Sequence, residues 1–201
     1  PDLIYLPEVA FDIEDFLSRV KKLLEKKPFV IAAVSEGIRL EDGRYVCELT
    51  DGVDFVDAFG HKQLTGTANY LARRLSQEIG CKTRSIELSS LQRAASHLAS
   101  RIDILEAFQV GGAAVKAADE GDTGEMVILK RISDDPYQCT TELRNVHKVS
   151  NVEKTVPREW INKNGTYVTE EFISYVRPLI QGDVSPVMVD GIPRYLYHKK
   201  K

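Results

Sequence analysis

Two arginines, Arg84 and Arg93, bracket the part of this chain best equipped to hold an anion, with Lys82 just before the first and Ser90 between them. A guanidinium presents a planar fork of N–H donors that matches two phosphate oxygens at once, and a rigid element between two such groups would set their separation. Ile86 and Leu88 alternate with polar neighbours, which predicts a short half-buried strand leading from Arg84, and Arg93 falls where the chain turns into the next helix. Spacing alone also fits ordinary surface or ion-paired arginines, and taken by itself it favours them. A carboxylate joins the set at Ser35-Glu36-Gly37, directly after the apolar run 29–34. Ligands of open α/β sheets gather at the carboxyl ends of strands. There Glu36 would accept hydrogen bonds from sugar hydroxyls, and Gly37 would let the backbone pass close to a ligand. The competing role for Glu36 is a helix cap or a partner for a lysine.

The elements that must position these residues read as strands alternating with helices. Residues 3–6 form a short apolar strand closed by Pro7. Asp12 is placed to cap a helix in which Ile13, Phe16, Leu17, Val20, Leu23 and Leu24 make one apolar stripe. The uninterrupted run 29–34 predicts a strand buried on both faces, and strand, helix and strand together predict a right-handed parallel crossover. Residues 40–59 carry turn signals and acidic side chains and are expected to form a surface insertion. Helical periodicity returns over 63–79, with Leu64, Ala68, Leu71, Ala72 and Leu75 inward, and Gly80 ends it. The small residues between Ala94 and Glu120 suit close helix packing. His97 is expected on the helix after Arg93 as a packed or capping side chain. Residues 126–129 predict a further strand, Trp160 and Tyr175 pack the tail, and Lys199 to Lys201 form a frayed basic end.

Composition narrows the function classes. With 27 Lys and Arg against 30 Asp and Glu, the net charge of -3 gives no general attraction to nucleic acid or to an anionic membrane. Any anion site must come from locally placed cations. The three cysteines, Cys47, Cys81 and Cys139, are odd in number and far apart, which favours reduced thiols and a cytoplasmic setting. No apolar run is long enough to span a bilayer as a helix, and there is no secretory leader pattern. The four histidines, His61, His97, His147 and His198, share no ligand spacing with cysteine or carboxylate neighbours, so no protein-bound zinc site is expected.

A series of ordered segments resembles the phosphofructokinase family, and its pyrophosphate-dependent branch more than its ATP-dependent one. The series runs from Leu6-Pro7-Glu8 through Ala33-Val34-Ser35-Glu36-Gly37, Phe59-Gly60-His61-Lys62-Gln63-Leu64, the Lys82-Thr83-Arg84 to Gln92-Arg93 stretch and Ser100-Arg101-Ile102-Asp103. It continues through Gly121-Asp122-Thr123-Gly124-Glu125, Val156-Pro157-Arg158-Glu159-Trp160 and Tyr175-Val176-Arg177-Pro178-Leu179. Two motifs of that family, a Gly-Gly-Asp donor loop and a Thr-x-Asp catalytic base, do not occur in these 201 residues. The chain is therefore expected to be the carboxy-terminal portion of a longer polypeptide.

The resemblance implies an α/β fold, three-layered with a mostly parallel sheet and helices on both faces, present in part. It divides the chain into a sugar-phosphate-binding segment (1–93), a helix–strand segment returning to the donor-side domain (94–150) and a packing tail (151–201). It implies transfer of a phosphoryl group from pyrophosphate, or ATP, to the 1-hydroxyl of fructose 6-phosphate in glycolysis, with magnesium on the donor phosphates. Residue by residue, Glu36 falls where the family's glutamate contacts fructose, and Arg84 where an arginine binds the 6-phosphate. Arg93 falls where an arginine contacts the same substrate and neutralises the transferring group, which makes it the catalytic residue of this half. Ser90 stands where many members have histidine or tyrosine, leaving a shorter, uncharged phosphate donor, and Lys82 adds positive charge. A homodimer or homotetramer is expected, with no nucleic-acid or membrane partner. The alternative is a non-catalytic sugar-phosphate-binding or regulatory module.

Overall fold

The computed structural model describes residues 1–49 and 64–194. They form two compact units, one of residues 1–87 and 155–170, the other of residues 88–154 and 171–201. The expected Phe59 to Leu64 segment up to Gln63, the later part of the acidic insertion, His61, His198 and the basic end lie outside the described residues.

In the first unit, strand β1 (Leu3–Tyr5) is followed by helix α1 (Ile13–Leu24) and strand β2 (Ala32–Val34). The two strands pair in parallel, with Leu3, Ile4 and Tyr5 opposite Ala32, Ala33 and Val34. Helix α1 begins at Asp12 because its carboxylate accepts the otherwise unpaired N–H groups of Glu14 and Asp15, at 2.9 and 3.0 Å. The apolar stripe turns inward as predicted. Phe16, Leu17 and Val20 are buried with Leu3, Tyr5, Phe11, Ile38, Val46 and Leu71 in one core. Tyr5 meets Phe11 and Phe16 edge-on, with ring centroids 4.9 and 5.7 Å away. Helix α2 (Thr67–Ile79) starts after Gly66, later than the periodicity predicts, and ends at Gly80 in the left-handed conformation, as expected. Arg74 ties it to α1 through Glu14 at 3.2 Å.

The run 29–34 departs from expectation. Its ladder is limited to Ala32–Val34, and Phe29 and Ile31 are 65% and 55% exposed. β2 pairs with β1 on one edge, and among the described residues no further strand joins its other edge. An apolar run reads as buried on both faces, but burial needs neighbours that this stretch of chain does not supply.

The segment 155–170 completes the first unit. Ile4 donates its N–H to the Thr166 carbonyl at 2.8 Å, and the Val156 N–H reaches the Glu8 carboxylate at 2.8 Å. Arg158 holds its own turn together by donating to the carbonyls of Ile161 and Asn162 at 3.0 and 3.1 Å. Gly165 has φ +68°, and a Cβ there would lie 2.6 Å from Val9 Cγ1, so both backbone and packing demand glycine.

The second unit holds helix α3 (Ser89–Arg93), helix α4 (Arg101–Asp119), the antiparallel strands β3 (Glu125–Asp134) and β4 (Tyr137–Asn145), helix α5 (Glu170–Val176, its first residue in the first unit) and the strand pair β5 (Met188–Val189) and β6 (Ile192–Pro193). β3 extends well past the predicted 126–129, and β4, whose alternation is masked by charged residues, was not anticipated. His97 lies in a separate 3-10 turn, Ser96–Leu98, rather than on a helix with Arg93. Ser100 caps α4 by accepting from the Asp103 N–H at 3.1 Å and donates to the Leu179 carbonyl at 2.6 Å. Tyr175 does pack: Arg131 stacks between the rings of Tyr137 and Tyr175, 4.8 and 4.6 Å from their centroids, and pairs with Asp134 at 2.5 Å. Burial and a hydrogen bond to Glu106 push the Tyr137 hydroxyl above its ordinary range.

The units differ in their cores. Among the described residues every buried apolar side chain belongs to the first. In the second, α4 turns Ile102, Val110, Ala113 and Ala117 partly inward and leaves Ile104, Leu105, Phe108 and Val115 exposed on its other side.

Candidate functional site

Helix α2 organises the first unit's share of the predicted residues. The Thr67 hydroxyl, in its first turn and on a side chain that is buried, donates to the carbonyl of Glu36 at 3.4 Å. Thr83 and Ser85, which flank Arg84, reach the same helix: Thr83 Oγ1 donates to the Ala72 carbonyl at 3.0 Å and Ser85 Oγ to Asn69 Oδ1 at 2.5 Å. Asn69 also donates to Glu87 at 3.4 Å. The anchors at 67, 69 and 72 fall within six consecutive residues, about 7–8 Å of helix axis. The backbones at Glu36 and Arg84 are thus both pinned to one short stretch of α2.

These anchors replace the strand that alternation predicts. Residues 81–88 form no ladder, and Ile86 and Leu88 are exposed. With no neighbouring strand to accept its backbone groups, the segment is held by side-chain hydrogen bonds instead. Alternating hydroxyls around an arginine, Thr83 and Ser85, were the sequence signal for this arrangement.

Glu36 opens the turn after β2 with its side chain exposed. Ser35 Oγ accepts the Gly37 N–H at 3.3 Å and shapes that turn. Gly37 is not in the left-handed region, and a Cβ there would meet Pro7, Ser35 and Leu64 at 3.7 to 4.0 Å, ordinary contact distances. The turn at 36–37, closed by the Ile38 N–H on the Ser35 carbonyl at 3.3 Å, therefore does not itself require glycine. Lys82 and Arg84 are exposed, and neither has an ion-pair partner among the described residues, whereas Arg19, Arg44 and Arg74 are all paired.

In the second unit, Ser90 and Arg93 share the single turn of α3. Both are exposed, Arg93 closes the turn, and its guanidinium is likewise without an ion-pair partner among the described residues. Ser89, the first residue of α3, has φ +45°, which residue type did not predict. Chemically, the first unit offers one carboxylate and two cations without an ion-pair partner among the described residues, and the second offers one such cation and one hydroxyl, groups of the kind that bind phosphates and hydroxyls.

The family model for Phosphofructokinase matches residues 1–118. The chain is 40% identical over 194 residues to a protein of Halomonas elongata named pyrophosphate–fructose 6-phosphate 1-phosphotransferase, an alignment that takes in 96% of this chain and 45% of that one. It is 38% identical over 198 residues to the protein of the same name from Xanthomonas campestris, covering 98% of this chain and 46% of the other. Crystal structures of pyrophosphate-dependent phosphofructokinases from Marinobacter aquaeolei and Nitrosospira multiformis superpose with TM-scores of 0.78 and 0.79 at 32% identity. They cover 100% and 98% of this chain, and the chain covers 47% and 44% of them. The chain thus spans about half the length of the relatives it matches and carries about half of their α/β fold.

Proposed function

Because this chain belongs to the phosphofructokinase family, we propose that it is the sugar-phosphate-binding half of a pyrophosphate-dependent enzyme that phosphorylates the 1-hydroxyl of fructose 6-phosphate. The observation that carries the reading is the pinning of the backbones at Glu36 and Arg84 to α2, with the Arg84 guanidinium free of an ion-pair partner among the described residues. Arg84 grips the 6-phosphate, and Lys82 adds to the local positive charge. Glu36 accepts a hydrogen bond from a fructose hydroxyl, and Ser90 donates one to the phosphate. Arg93 contacts the same substrate and offsets charge on the phosphoryl group as it moves, which makes it the catalytic residue of this half. In the reaction the 1-hydroxyl oxygen forms a bond to the terminal phosphorus of pyrophosphate, the bridging P–O bond breaks, and orthophosphate leaves. The hydroxyl proton passes to a base outside these residues. Such a reaction depends on positioning and charge neutralisation, the two tasks these side chains can perform.

The segment 94–150 is proposed to return to the donor-side part of the same polypeptide. A helix apolar on both sides, as α4 is, belongs between layers, and more than half of the relatives' length lies beyond this chain. Residues 1–93 form the sugar-phosphate segment and 151–201 the packing tail in this scheme. Magnesium travels with the donor diphosphate, where it offsets negative charge. Among the described residues no group of three or more His, Cys, Asp or Glu side chains is placed to hold a cation, so none is assigned to it. The odd number and wide spacing of Cys47, Cys81 and Cys139 support a cytoplasmic setting, and a place in glycolysis and a homodimer or homotetramer complete the proposal. Among the described residues no helix is long and apolar enough to cross a membrane.

The test is steady-state kinetics of the full-length polypeptide that carries this chain. Arg84→Ala should raise the fructose 6-phosphate KM at least about tenfold, from loss of a charge-assisted contact of about 1.5–3 kcal/mol. Arg93→Ala should lower kcat as well. Wild-type kinetics in both variants would refute the assignment.

A further inference from the structure

Ser89 adopts a backbone conformation that its residue type disfavours. In the left-handed region Cβ crowds the following carbonyl oxygen, so residues there are mostly glycine, or Asn and Asp with short polar side chains that bond locally. Among the described residues three non-glycine positions have positive φ: Ser89 at 45°, Asn151 at 57° and Asp190 at 52°. The latter two are of the tolerant types. Leu88 is right-handed, at φ -67° and ψ -39°, so the reversal is confined to one residue. The chain then enters its single helical turn, closed by the Gln92 N–H on the Leu88 carbonyl at 3.3 Å and the Ala94 N–H on the Ser90 carbonyl at 2.9 Å. Ser90 and Arg93 ride on that turn.

Ser89 is exposed, and no hydrogen bond of its hydroxyl is found among the described residues. No side-chain contact therefore accounts for the conformation. Rotation of Ser89 into the right-handed region would redirect the helical turn that follows it, Arg93 included.

We propose that Ser89 is a positioning residue for phosphate recognition: its left-handed backbone, and not its hydroxyl, aims Ser90 and Arg93 at the sugar phosphate. The inference rests on the substrate reading above and goes beyond it by separating the residue that aims from the residues that bind.

Two substitutions in the full-length polypeptide separate backbone from hydroxyl. Ser89→Thr keeps the hydroxyl but adds a β-branch that resists positive φ further, and it should raise the fructose 6-phosphate KM severalfold. Ser89→Gly removes the hydroxyl but frees the backbone, and its KM should stay at or below that of wild type. The pyrophosphate KM should be constant in both, which a general loss of structure would not produce. A normal KM in Thr, or an impaired one in Gly, overturns the proposal. If Thr fails to fold, Ser89→Asn decides in its place, because Asn tolerates the left-handed region: a wild-type KM in both Gly and Asn upholds the proposal and a raised one in either overturns it. Arg93→Ala belongs in the same series. Wild-type kinetics there would remove Arg93 from the substrate reading, and wild-type kinetics in Arg84→Ala as well would remove that reading itself, whereas an impaired Arg93→Ala beside a normal Ser89→Thr would remove only the positioning role.

Discussion

Replacing Gly165 with alanine should destabilise the first unit by two separable mechanisms. The backbone there has φ +68°, and the added methyl would stand 2.6 Å from Val9 Cγ1, 3.3 Å from its Cβ and 3.6 Å from its Cγ2. Rotating Val9 gives little relief, because Cβ itself is already close. The left-handed conformation costs a side chain about 1–2 kcal/mol, and forcing a methyl into a filled space costs about 1–3 kcal/mol. Together these give a loss of about 2–5 kcal/mol, which for a chain of this length lowers the melting temperature by about 4–20 °C. Thermal unfolding followed by circular dichroism on the parent, Gly165→Ala, Val9→Ala and the double variant measures both parts. Val9→Ala removes the nearest atom, so the double variant should recover most of the packing cost while the conformational cost remains. The coupling expected between the sites is about 1–2 kcal/mol. A single variant that melts within about a degree of the parent, or a double variant with no coupling, would refute the reasoning. The consequence reaches the strand that leads toward Glu8, because Thr166, the next residue, accepts the Ile4 N–H.

Thr83→Val preserves shape but removes the 3.0 Å hydrogen bond to Ala72 that helps hold Arg84 against α2. A neutral hydrogen bond contributes about 0.5–1.5 kcal/mol, so the fructose 6-phosphate KM of the full-length polypeptide should rise about two- to tenfold; an unchanged value would show that Thr83 does not position Arg84. Burial, reinforced by Asp15, pushes the Tyr5 hydroxyl up to about 12, and its oxygen is buried without a hydrogen-bond partner. Unfolded tyrosine ionises near pH 10 while folded Tyr5 keeps its proton, so unfolding releases a proton and stability should fall as pH rises from about 10 to about 12. Denaturant titrations across that range should show a shallower fall in Tyr5→Phe, with neutral-pH stability equal to or above that of the parent; an identical alkaline slope would remove Tyr5 as the cause.

Local chemistry was legible wherever a residue acts on its own neighbours. Asp12 caps α1 because a carboxylate one position before an apolar stripe meets the free N–H groups in any context. The inward stripe of α1, the left-handed Gly80 and the family segments were likewise written in order along the chain. Glu36, Arg84 and Arg93 could be named from those segments. Their attachment could not, because the Thr67, Asn69 and Ala72 partners are distant in sequence and pair with residues 36, 85 and 83 only after α2 has packed.

Two expectations failed for one reason. Residues 29–34 and 84–88 have the pattern of strands, yet the first is strand over three residues and the second over none. A strand is completed by a neighbour that accepts its backbone groups and covers its side chains, and periodicity carries no information about whether that neighbour is present. The sequence by itself determined which faces are apolar, where α1 begins, where α2 ends and which side chains can hold a phosphate. The tertiary structure decided which apolar faces are covered and which hydroxyls hold Arg84, because each of these depends on groups that meet only when the chain has closed on itself.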